Sequence, residues 1–141
     1  RILVASGMFP AQDNVVPFTR RSMPVYDLPA SAGTGAFLDS SDYEMVQVGP
    51  EVPVNANFGV RVSGDSMEPE FHDGQIVWVQ QQPTLESKDI GIFLFNGQAY
   101  IKQWQPSVKG SSASLVSFNS AYQPIVIHET DELRVFGKVL S

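Results

Sequence analysis

Over its second half the chain alternates apolar and polar residues in short runs separated by turn formers. Phe58 to Ser63 puts Phe58, Val60 and Val62 on one face, since strand side chains alternate with period two. Gln75 to Gln81 carries Ile76, Val77, Trp78 and Val79, apolar on both faces, and Ile90 to Phe95 is continuously apolar. Asn96-Gly97 is a strong two-residue hairpin signal, so Gln98 to Trp104 reads as the returning strand. Ser114 to Phe118, Ile125 to His128 and Leu133 to Leu140 supply three more. Strands at this spacing, without a long amphipathic helix, predict a mainly β fold. Only Ser66 to Phe71 and Asp39 to Val46 look capable of a helical turn or short helix.

The first part reads differently. Arg1 to Leu28 shows no sustained period and contains Pro10, Pro17 and Pro24, with Pro29 just beyond. Proline disfavours helix in its predecessor and cannot donate to a ladder. Residues 1–28 are therefore expected to be a linker or extended arm, and residues 29–141 the folded domain. That domain starts with a segment of small residues, Ala30-Ser-Ala-Gly-Thr-Gly35.

Composition narrows the function classes. With 141 residues the chain suits one domain with a proper core. No apolar run approaches the ~20 residues of a membrane helix, and no signal peptide is visible, so no membrane partner is expected. The absence of cysteine removes disulfides and thiolate chemistry and agrees with a cytoplasmic location. A net charge of −6 with scattered lysines and arginines should be repelled by a phosphate backbone. The chain opens at Arg1 without a methionine, which predicts a missing N-terminal part; any binding to DNA would belong to that part.

Candidate chemistry begins at Val62-Ser-Gly-Asp-Ser-Met-Glu-Pro69. A strand running into Gly64 would leave Ser66 projecting from a turn, beside backbone N–H groups able to stabilise an oxyanion. Taken alone, Gly-Asp-Ser is as readily a plain turn or cap. A serine nucleophile needs a base. His72 and His128 are the available histidines, neither in a triad-like pattern, and both read as surface or turn residues. Lys102 is the other choice, sharing a strand face with Tyr100 and Trp104. At the ordinary lysine pKa roughly one amine in 2,500 is neutral at pH 7. Burial lowers that pKa and makes a general base available. By itself such a lysine is as well read as snorkelling or stacking on its aromatic neighbours.

Ser66-Met67 and Tyr100-Ile-Lys102, 36 positions apart, together with Ala32-Gly33 upstream, resemble the LexA, phage repressor and UmuD family of self-cleaving serine–lysine peptidases. Asp73-Gly74, Asp89-Ile-Gly91, Tyr122-Gln-Pro-Ile125 and Val135-Phe-Gly-Lys-Val139 extend the likeness over about Ala30 to Ser141. Asp65, directly before the nucleophile, stands where members of the family vary.

The resemblance implies a LexA C-terminal-like fold: twisted β-sheets or a partly open barrel with at most short helical turns. It implies Ser66 as nucleophile, Lys102 as general base and Ala32–Gly33 as the scissile bond. The oxyanion hole would be the backbone of Ser66 and a neighbour, Asp65 or Met67. No cofactor or metal is expected. The implied partners are a second copy, through the C-terminal domain, a RecA filament on single-stranded DNA as co-protease, and operator DNA through the missing N-terminal domain alone. A UmuD-like polymerase accessory subunit, a non-catalytic dimerisation module and a signal-peptidase-like enzyme acting in trans are the rival readings.

Overall fold

The computed structural model describes residues 21–27 and 43–140. Among them the chain forms nine strands: β1 (Arg21–Asp27), β2 (Tyr43–Val48), β3 (Phe58–Arg61), β4 (Ile76–Gln80), β5 (Ile90–Phe95), β6 (Gln98–Gln105), β7 (Ser114–Val116), β8 (Ile125–Val126) and β9 (Leu133–Val139). They join one open mixed sheet in the order β2-β1-β3-β4-β9-β5-β6-β7-β8, in which β1 and β3 run parallel and every other neighbouring pair antiparallel. The mainly β architecture expected from the alternation is the one observed, and the open sheet agrees with the partly open arrangement that the resemblance implies. The stretch Ser66 to Phe71 is a turn, closed by hydrogen bonds from Glu68 N–H to the Asp65 carbonyl and from Phe71 N–H to that of Met67.

Period-two burial explains the layering. Phe58, Val60 and Val62 turn the same way into the main core, where Val77, Val79, Ile92 and Ile101 meet them. Trp78, on the opposite face of β4, packs against a second cluster built from Met23, Val48, Val52 and Ala56. Burial of such apolar surface at ~25 cal/mol per Å² is the main force holding both layers. The β5–β6 hairpin turns at Asn96 and Gly97 with φ of 48° and 84°, the left-handed pair that a two-residue turn requires.

Two expectations are corrected. The residues of Asp39 to Val46 suit a helical turn or short helix, yet Tyr43–Val48 is a strand; residues 39–42 lie outside the described part. Pairing with β1 overrides local propensity, and it sends Val46 and Val48 to the same cluster at period two. Arg21–Asp27, within the stretch read as linker or extended arm, is a strand paired on both sides. The proline that argued against it is accommodated near the start of the strand, opposite Met45 of β2 and before the pairing with β3 begins at Val25. Residues 1–20 and the segment 30–35, with Ala32 and Gly33, lie outside the described residues.

Candidate active site

Ser66 is placed by the end of β3 and by a core anchor. Past Arg61 the strand pairing is prolonged by hydrogen bonds from Val62 N–H to the Gln75 carbonyl and from Gly74 N–H to that of Val62. Gly64 then takes φ +88°, which glycine adopts without strain, and its N–H donates to Asp73 Oδ1 at 2.7 Å. Met67, 1% exposed, pins the far side of the turn in the core. Asn119 fastens the loop from outside: its backbone N–H donates to the Ser66 carbonyl at 2.9 Å and its side-chain amide to the Asp65 carbonyl at 3.1 Å. Among the described residues the backbone N–H groups of Asp65, Ser66 and Met67 have no acceptor, so donors stand ready beside the Ser66 hydroxyl.

Lys102 comes from β6, whose alternate residue Ile101 faces the main core. Its amine lies 2.9 Å from Ser66 Oγ and 2.8 Å from Ser117 Oγ. The residue is only 5% exposed, and among the described residues it forms no ion pair. On the β5 side its register partner is Gly91, which has no side chain to offer a charge. Burial without a counter-charge pushes the amine pKa below its ordinary value. The rings of Tyr100 and Tyr122 stand 5.8 Å and 5.7 Å from Nζ. They favour the ammonium and so oppose part of that effect.

The two side chains open into a cleft of about 770 Å³, lined also by Asp65, Gln98, Tyr100, Ser117 and Tyr122. A half-buried hydroxyl in contact with a desolvated amine, beside amide donors that have no acceptor among the described residues, has the parts needed for acyl transfer. His72 and His128 are exposed and do not line the cleft; His72 Nδ1 instead lies 2.6 Å from Glu68 Oε1.

Two features of the site escaped the sequence. Ser117 is one: the register puts Gln103 opposite Val116, and continuing it puts Lys102 opposite Ser117. The sequence signals both strands but not the offset between them. The other is a hydrogen bond of 2.5 Å from the Tyr122 hydroxyl to Asp65 Oδ1, across 57 positions. Tyr122 lies in a segment that carried the family resemblance; its partner was not legible.

A family profile described as Peptidase S24-like matches residues 24–140. A LexA repressor of Carboxydothermus hydrogenoformans is 30% identical over 122 residues, 85% of this chain and 58% of that protein. A LexA repressor of Magnetococcus marinus is 34% identical over 85 residues, 60% of this chain and 36% of the relative. For one of Streptomyces avermitilis the figures are 38%, 85 residues, 60% and 34%. The chain thus spans between 34% and 58% of the length of these relatives. No helix among the described residues is long and apolar enough to cross a membrane.

Proposed function

The chain belongs to the Peptidase S24-like family, and from that premise we propose that it is the C-terminal domain of a LexA-like transcriptional repressor that cuts its own Ala32–Gly33 bond. The observation that carries this reading is the 2.9 Å contact between the buried Lys102 amine and the Ser66 hydroxyl.

In the proposed reaction neutral Lys102 takes the Ser66 proton while Oγ attacks the Ala32 carbonyl carbon. The backbone N–H of Ser66, with that of Asp65 or Met67, holds the oxyanion. The Lys102 ammonium then gives its proton to the Gly33 nitrogen, and the C–N bond breaks. Water, deprotonated by Lys102, hydrolyses the Ser66 ester and leaves a carboxylate at Ala32. Ser117 accepts one amine N–H throughout, which turns the nitrogen lone pair toward Ser66.

The topology supports a reaction within one chain. Asp27, the last described residue before the scissile segment, is paired with Arg61, and their side chains are joined by an ion pair of 3.0 Å. Arg61 is five positions from Ser66, at most ~17 Å of chain. Gly33 is six positions from Asp27 and ten from Tyr43, tethers of at most ~20 Å and ~33 Å. The bond can therefore reach the cleft, and tethering supplies a high effective concentration. By the same reading the partners are a second copy through this domain, a RecA filament on single-stranded DNA, and operator DNA through an N-terminal domain, all in the cytoplasm.

The experiment is incubation of the purified chain across a pH series, with fragments identified by mass. A single cut after Ala32 is expected, at a rate independent of protein concentration. The rate should rise about tenfold per pH unit and level off at the amine pKa, below the ordinary 10.5. A chain still intact after prolonged incubation at pH 10 would overturn the proposal.

A further inference from the structure

Asp65 adjoins Ser66, yet its carboxylate makes no ion pair with Lys102; the Tyr122 hydroxyl donates to it instead. We infer that Tyr122 is a positioning residue whose hydroxyl clasps the Asp65 carboxylate and keeps it from pairing with the Lys102 amine. The inference rests on the proposed role of Lys102 as base and adds a control on its charge.

The placement carries it. The Tyr122 ring stands against the Lys102 amine while its hydroxyl reaches Asp65, so this one side chain touches both charged groups. Asn119 fixes the Asp65 carbonyl and shares a turn with Tyr122, whose N–H donates to the Asn119 carbonyl at 3.1 Å. That holds the backbone on either side of the clasp. Among the described residues that line the cleft around the amine, only Asp65, Tyr100 and Tyr122 are titratable. From the other neighbouring strands, Gly91 and Ser117 bring no charge. Among the described residues Asp65 is thus the one carboxylate lining the cleft that could hold Lys102 as an ammonium.

A carboxylate within ~4–6 Å of an amine favours its charged form. Burial lowers the pKa of Lys102, and among the described residues no carboxylate is paired with its amine. Tyr122, by contrast, is raised above 10.0 by its hydrogen bond to Asp65 and by that residue's charge. The contact that ties up the Asp65 carboxylate thus also helps to keep the phenol protonated as the pH rises.

The test compares wild type, Tyr122→Phe and Asp65→Asn/Tyr122→Phe in the whole chain. Cleavage rate is followed against pH, and the Lys102 amine separately by NMR of lysine labelled with ¹³C at Cε. Tyr122→Phe should raise the midpoint by about one pH unit, a tenfold slower cut at any pH well below it. Adding Asp65→Asn should return the midpoint to the wild-type position or lower. An unmoved midpoint in Tyr122→Phe, or a shift that persists in the double variant, sinks the clasp; a variant that merely misfolds would not be rescued by the second change. Should the wild type not cut at all, the proposed function fails, while the NMR titration still decides whether Tyr122 sets the charge of Lys102.

Discussion

Ser66→Ala, Lys102→Ala and Lys102→Arg are each expected to slow self-cleavage by on the order of 10⁴-fold or more, with the fold retained. Removing one member of a nucleophile–base pair abolishes its joint action, which is why single and double losses cost nearly the same. The double variant should therefore be no slower than either single one. Arginine is the sharpest of the three, since it keeps the positive charge and the length but stays protonated at every accessible pH. If Lys102 served only to stabilise charge, Lys102→Arg would retain much of the activity; if it is the base, Lys102→Arg is as dead as Lys102→Ala. Mass analysis after incubation at pH 10 gives the rates, and circular dichroism the fold. Substantial cutting in Ser66→Ala would remove the nucleophile assignment whatever the lysine variants do.

What the sequence revealed and what it withheld divide along a physical line. Alternation and turn chemistry are local, and they located the seven strands from Phe58 onward, with the Asn96-Gly97 turn between two of them. Tyr43–Val48 and Arg21–Asp27 were lost because their strand state comes from mutual pairing, and because Pro24 and the helix-compatible residues before Val46 outweighed the weak alternation. Ser66 and Lys102 were legible as a pair through motif and spacing, and the structure brings them to 2.9 Å. Ser117 and the Asp65–Tyr122 contact depend on strand register and on loop packing, quantities that no single segment encodes. The residues that surround the chemistry were therefore harder to read than the residues that would perform it.

The same desolvation that would make Lys102 a base should make it a weakness of the fold, and Lys102→Met exposes this. In the unfolded chain the amine titrates near 10.5, in the folded chain lower. Between those two values the unfolded state holds more protons, so stability rises with pH across that window. Below the folded pKa the cost of burying the ammonium is present in full; above 10.5 it has vanished. Methionine fills similar space without a charge, so Lys102→Met should be more stable than wild type at pH 7, by at least ~1 kcal/mol or several degrees in Tm. Loss of the hydrogen bond to Ser117 works against this by about 1 kcal/mol; the bond to Ser66 does not enter once that serine is alanine in both proteins compared. The decisive quantity is thus the change in the variant's advantage between pH 7 and the alkaline range, measured by urea unfolding in a Ser66→Ala background that cannot cut itself. The advantage should shrink as pH rises, and each 1.4 kcal/mol of shrinkage corresponds to about one unit between the folded and unfolded pKa values. An advantage that is flat from pH 7 to pH 10.5 would mean that the amine is as well solvated folded as unfolded, and a solvated lysine has no reason to be neutral where a general base must be.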